Sequence, residues 1–275
     1  MRLYGSEKWV FEESRIRRWA YRLFGEVNVP GRLRSYHILR TIRSLELGGG
    51  SARMLDAGCG RGDLALHVAQ MFPHWQVLGV DTDELKVERA NRLAERLGLS
   101  NARFEVGRLE QIRFDSELDL IVCADVLEHI ADDQRVITNL CRAVRAGGYV
   151  LVTSPSIPQR PHLPLVRWRE KRIGFHLSQY GHVRQGYGPA ELAEKFSLAG
   201  ASMLSSRFTF GLFGTLAFDL FFVIGDNRPN PIVFGLMFPA LMALAAADLY
   251  FPTRTGSAIL AVAQRPAVAE QERAA

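Results

Sequence analysis

The chain has 275 residues, of which 48% are hydrophobic and 23% charged, with a net charge of +5. That is enough sequence to bury a substantial core, as one large domain or one domain with insertions. Cys59, Cys123 and Cys141 are scattered, which excludes a disulfide framework and a familiar metal-ligand spacing and points to a reducing cytoplasm. The opening "MRLYGSEKWVFEESRIRRW" has no apolar run of the kind a secretory leader needs, so a cytoplasmic chain is expected.

The charge is unevenly spread: +5 over residues 1–50, −4 over 51–154, +5 over 155–188 and −1 over 189–275. Two basic blocks flank an acidic middle. They are either solvated arginine-rich faces or a positive rim for an anion or an anionic membrane.

In chain order, residues 6–24 read as a helix with Trp9, Ile16, Trp19 and Leu23 among arginines, and 33–46 as a second, ending at Gly48-Gly49-Gly50. Residues 1–50 form an expected N-terminal helical cap. From residue 52 strands and helices alternate. "RMLDAG", "QVLGVD", "ARFEVG", "LDLIVCAD" and "YVLVTS" read as strands. The helices between them are "DLALHVAQMF", stopped by Pro73, and "DELKVERANRLAERLG", with Asp83 as N-cap and Gly98 as stop. "DQRVITNLCRAVRAGG" reads as a third helix with a double-glycine exit. This rhythm predicts an α/β fold, a parallel sheet covered on both faces. After an irregular basic stretch over 155–188, "PAELAEKFSLAG" is a short helix, and "ASMLSSRF" and "GSAILAVAQR" are two last strands. Residues 266–275 read as a frayed tail.

The string that carries chemistry is "LDAGCGRGD", 55–63. A strand runs into Gly58-x-Gly60-x-Gly62 and then a helix, so the backbone can turn tightly, approach a ligand and present free N–H groups. Asp81, at the tip of the next strand, suits a ribose diol. "CADVLEHI", 123–130, and "AGGYVLVTSP", 146–155, follow in order.

With these four elements in place the chain resembles the class I S-adenosylmethionine-dependent methyltransferases, over roughly residues 52–205 and again near 256–265. The resemblance implies a doubly wound, mostly parallel seven-stranded sheet with an antiparallel last strand, spanning 51–207 and 253–265. It implies S-adenosyl-L-methionine as cofactor. Asp56, Gly58 and Gly60 would hold its methionine part, Asp81 the ribose, Thr82 and Leu109 the adenine edge, and Asp125 and Val126 would close the methionyl side. Arg108 departs from the pattern, standing where the family commonly has an Asp facing the adenine amino group. It cannot accept that bond and is expected to point away or stack.

The rival is a nicotinamide dehydrogenase, whose G-x-G-x-x-G needs its third glycine one position later than Gly62. A catalytically inactive cofactor-binding subunit is a separate alternative. The basic pI admits a nucleic-acid or protein substrate. Against nucleic acid, no Asn/Asp-Pro-Pro-Tyr/Phe string follows the fourth strand and no RNA-binding module is appended.

Methyl transfer needs a nucleophile held in line with the sulfonium and shielded from water. His129, four residues after Asp125, is the candidate general base. His182, Arg184 and Tyr187 are candidate substrate-binding residues, with His162 and His176 in the same stretch. Their spacing matches no familiar metal motif, and no metal is expected.

Residues 208–252 are far more apolar. "FTFGLFGTLAFDLFFVIG" and "PIVFGLMFPALMALAAADLYF" read as a helical hairpin joined by "DNRPN" and inserted between the last two strands. Small residues recur every four positions (Gly211, Thr215 and Asp219, then Gly235, Pro239, Ala243 and Ala247), which predicts close helix approach along those stripes. Phe210, Phe213, Phe221, Leu236 and Leu244 would then face outward, with Phe213 toward substrate. The 16 uncharged residues from Ile232 to Ala247 make about 24 Å of helix, short of the roughly 30 Å hydrocarbon core. A lid over the substrate site that can also rest on a membrane surface is expected ahead of two alternatives, a spanning hairpin and plain core filling. The acceptor is expected to be small, apolar or amphiphilic, lipid-like or anionic. Oligomeric state is not encoded in any of these features.

Overall fold

The computed structural model describes residues 14–25, 28–47, 50–114, 116–157, 181–224, 231–251 and 253–267, together with Pro164, Val166 and Trp168. His162, His176, most of the basic stretch, the first half of the predicted 6–24 helix, the "DNRPN" joint and the predicted tail beyond 267 lie outside them.

Two helices come first, α1 (Arg15–Phe24) and α2 (Val29–Ser44). Helix α2 starts four residues earlier than the sequence suggests. Asn28 caps it by accepting from Gly31 N, and Pro30 occupies the first turn, where its missing N–H costs nothing. The alternating region follows as β1 (Arg53–Ala57), α3 (Asp63–Met71), β2 (Gln76–Asp81), α4 (Glu84–Leu97), β3 (Ala102–Val106), β4 (Leu118–Ala124), α5 (Asp133–Ala143) and β5 (Val144–Pro155). Then come α6 (Pro189–Leu198), β6 (Ser202–Thr209), α7 (Leu212–Ile224), α8 (Pro231–Tyr250) and β7 (Ala258–Gln264).

The seven strands form one sheet in the order β3-β2-β1-β4-β5-β7-β6. Strands β1 to β5 pair in parallel, and β7 runs antiparallel to both β5 and β6. Strand alternation splits the core in two. Met54, Leu120, Val122 and Leu151 face α2, α3 and α4, while Leu55, Ala57, Ile121, Cys123, Val150 and Val152 face α5 and α6. The α4 caps are as the sequence suggests: Asp83 accepts from Lys86 N, and Gly98 takes the left-handed conformation.

One border moves. The predicted helix exit at Gly147-Gly148 is inside β5, because α5 stops at Ala143 and Val144 pairs with Leu118 across a register shift. Arg145 Nε then donates to Asp119 Oδ1 at 2.6 Å, and Gly147 N donates to Arg265 O at 2.8 Å. Bonds to β4 and to the end of β7 replace the last helical turn.

The hairpin arms, α7 and α8, lie between β6 and β7, and Phe208 and Thr209 belong to β6 rather than to the first arm. Their packing corrects the predicted orientation. Phe210 and Phe221 are buried, not outward: Phe221 packs with Val29, Ala217 and Leu241, and Phe210 with Leu33 and Ala245. Leu244 packs against the first of these clusters. The α8 stripe of Gly235, Pro239 and Ala243 is exposed instead, with Leu236 beside it. The reason is α2, which offers Val29 and Leu33 to the pair, so large side chains turn inward to meet it. One flank of α2 thus lies on the sheet core and another on the hairpin. Among the described residues no helix is long and apolar enough to cross a membrane.

Candidate cofactor and active site

The C-terminal ends of β1, β2, β4 and β5 converge. After β1 the chain makes the glycine turn. Gly58 has φ 80°, and a Cβ there would lie 2.3 Å from a Val126 methyl. Gly60 has φ 55° and faces open space. Only glycine serves at both, for close packing at the first and for an open backbone cradle at the second.

Asp81 holds this turn from β2. Its Oδ2 accepts from Gly60 N at 2.8 Å and its Oδ1 from Asp83 N at 3.0 Å. Thr82, next in the chain, is exposed. Asp56 sits beneath the turn, 3% exposed, and among the described residues its Oδ2 has no hydrogen-bond partner. Burial pushes its carboxyl up to about 7, and a bond from the Ala65 backbone only partly opposes this. Such an orphaned buried oxygen is costly unless a donor arrives. Burial likewise drives the thiols of Cys59 and Cys123 upward, so they remain protonated.

At the tip of β4, Asp125 has φ 52°, an uncommon backbone for a non-glycine residue. Thr153 Oγ1 donates to its Oδ1 at 2.9 Å, and its Oδ2 is paired with Arg34 of α2. Arg34 is a site residue that the sequence does not reveal, since α2 lies some 90 positions away. Leu109 is a core residue whose carbonyl accepts from Asn139 Nδ2 at 3.1 Å. Arg108 is exposed and paired with Glu110 at 3.0 Å, directed to solvent.

A short turn, Leu127–His129, follows β4. Glu128 is 1% exposed and accepts from Ser154 Oγ at 3.1 Å. Burial and the neighbouring Asp125 charge raise its carboxyl to about 7. The segment 181–187 docks on this turn: Val183 N donates to Glu128 O at 2.9 Å. His182 is thereby brought edge-on to His129, with ring centroids 4.6 Å apart. His129 Nδ1 lies 3.2 Å from Gly181 O. A carbonyl only accepts, so Nδ1 carries the proton and Nε2 keeps the lone pair.

The structure does not bring Arg184 and Tyr187 to the mouth as substrate contacts. Tyr187 is 0% exposed, and its hydroxyl donates to Asp133 Oδ2 at 2.6 Å. Arg184 pairs with the same carboxylate at 3.0 Å and lies over the Tyr187 ring. Lys195 Nζ donates to the other oxygen, Asp133 Oδ1, at 3.0 Å, so the three residues together satisfy a buried acid. Phe213 lies on α7, half-buried, with its ring 6.1 Å from Phe251.

Residues 50–181 match the family of methyltransferase domains. A ubiquinone biosynthesis O-methyltransferase of Rickettsia prowazekii is 26% identical over 140 residues, 51% of this chain and 54% of that one. The uncharacterized methyltransferase YcgJ of Bacillus subtilis is 32% identical over 112 residues, 40% of this chain and 44% of that one. The chain thus spans about half the length of the curated relatives it matches. Among solved structures, a geranyl diphosphate C-methyltransferase from Streptomyces coelicolor A3(2) superposes with a TM-score of 0.57 at 16% identity, covering 86% of this chain and 80% of that one. It was solved with Mg2+, geranyl diphosphate and S-adenosyl-L-homocysteine. The dehydrogenase alternative has no place beside a sheet with this strand order and this domain match. The chain thus has the methyltransferase fold, and just under half of it, residues 50–181, is similar to methyltransferase domains.

Proposed function

We propose that the protein transfers a methyl group from S-adenosyl-L-methionine to a small apolar or amphiphilic acceptor. The cofactor, when bound, supplies a methyl group already activated on a sulfonium. The observation that carries the reading is Asp56, whose Oδ2 has no partner among the described residues and lies buried under a glycine turn that is open at Gly60. A methionyl ammonium is a donor that fits there, and its charge favours the ionised acid. Asp81 accepts from the ribose diol with the lone pairs that Gly60 N and Asp83 N leave. Thr82 and the Leu109 backbone border the adenine, and Val126, pressed on Gly58, closes the methionyl side with Asp125.

The acceptor enters between α2 and the turn carrying His129. The cluster of Glu128, His129 and His182 borders the acceptor there. Phe213 and the hairpin give the entrance an apolar wall. The outer face of α8 supports a peripheral membrane contact. Leu236 is 78% exposed, Tyr250 and Phe251 are exposed near its end, and Arg40 lies 5.3 Å from the Tyr250 ring. An apolar face with cations at its edge suits an anionic lipid surface.

The test is incubation with methyl-labelled cofactor and lipid or metabolite extracts, read by mass spectrometry. A labelled apolar product is expected. Failure of the purified protein to bind S-adenosylmethionine would sink the reading.

A further inference from the structure

We propose that Glu128, His129 and His182 form a binding site for one divalent transition-metal cation at the mouth of the cofactor site. One donor atom from each residue can be chosen so that all lie within 4.8 Å of one another. Ligands at about 2.1 Å in a tetrahedron are about 3.4 Å apart, so closure needs at most about 1.4 Å per pair. His129 is exposed and His182 half-buried, so both rings have room to swing.

The supporting shell is already arranged. A ligating imidazole commonly donates its other N–H to a carbonyl, which fixes the tautomer. His129 Nδ1 does this with Gly181 O at 3.2 Å, leaving Nε2 as the ligand nitrogen. Ser154 Oγ donates to Glu128 Oε2 and so helps to fix the carboxylate. Val183 N bonds to Glu128 O, and Tyr187 and Arg184 fasten the same segment to Asp133, so His182 is carried on an anchored loop. Charge agrees as well. Asp125 and Glu128 bring two carboxylates to the turn, and Arg34 is the cation paired with Asp125. Two imidazoles with one carboxylate suit Zn2+, Mn2+, Fe2+ or Co2+ better than Mg2+ or Ca2+, which prefer oxygen-only shells.

The binding claim stands on this geometry alone, and only its use in catalysis rests on the methyl-transfer reading. There, an acceptor hydroxyl on the ion loses its proton to solvent. Its oxygen then bonds the methyl carbon as the carbon–sulfur bond breaks, leaving a neutral thioether. His129 thereby becomes a ligand rather than the general base expected from sequence.

The experiment uses tag-free, chelator-treated full-length protein, titrated by calorimetry with Zn2+ and Mn2+ and by visible spectroscopy with Co2+. One equivalent should bind. His182→Ala and Glu128→Gln should each weaken it at least tenfold, while His74→Ala, at an exposed histidine elsewhere, should leave it unchanged. Affinity for S-adenosylmethionine, measured on every variant, reports the fold and the cofactor site separately. Absence of one-to-one binding, or binding that survives both substitutions, overturns the metal site. Loss of cofactor binding by the unsubstituted protein overturns the methyltransferase reading instead.

Discussion

His37 Nε2 lies 3.0 Å from Asp248 Oδ2, a buried pair 211 positions apart that joins α2 to α8. Asp248 also accepts from Phe210 N at 3.1 Å and from Gly214 N at 2.8 Å. One carboxylate therefore fastens α2, the residue that follows β6 and both hairpin arms. Asp248→Ala should cost about 3–5 kcal/mol, because it strands a histidine and two backbone donors away from water. Thermal unfolding checks this. Gly214→Ala should also destabilise, since its Cβ would fall 2.7 Å from the Asp248 carboxyl carbon. A melting temperature unmoved by either change would show that the hairpin is held some other way.

Asp56 sets a pH dependence. Its folded carboxyl titrates near 7, raised from an ordinary value of 3.8. Between those values the unfolded chain has lost the proton and the folded chain keeps it, so rising pH erodes stability until about pH 7. Relative to Asp56→Asn, the cofactor-free protein should lose on the order of 3 kcal/mol between pH 5 and 8. Parallel denaturant melts at several pH values would show the gap. With a cationic cofactor beside it the acid ionises, so binding near pH 7 should release a proton, visible as a buffer-dependent enthalpy.

Asp81 both faces the glycine turn and holds Gly60 N. Asp81→Ala should weaken S-adenosylmethionine binding by about 2–3 kcal/mol, or roughly 30- to 150-fold, with the sheet intact. Calorimetry decides; an unchanged dissociation constant would remove Asp81 from the cofactor site.

The hairpin surface is probed at Leu236, since Leu244 is a packing residue. Leu236→Asp should weaken binding to anionic vesicles several-fold at low salt while leaving the melting temperature within about 1 °C. Equal vesicle binding by the variant and the parent would leave the exposed face without a lipid role.

Much of this molecule is written locally. The strands of the sheet, the glycine turn, Asp81 at a strand tip and the Asp83 and Gly98 caps each follow from residue types a few positions apart. Backbone sterics and capping bonds act over that range, so the sequence determines them by itself. The rest depends on partners far along the chain. Helix α5 yields to β5 at Val144 because Leu118, Asp119 and Arg265 are there to bond it. Helix α8 is apolar nearly all round, and its small-residue stripe falls on the exposed side, so its periodicity does not mark the inner face. Val29, Leu33 and the buried Asp248 decide that, turning Phe238 and Leu241 inward and Leu236 out. Arg34 reaches Asp125, and His182 reaches His129, only after α2 and the 181–187 segment have docked. Spacing in sequence carries no trace of such contacts, because they are made by packing and by charges that seek partners once water is excluded.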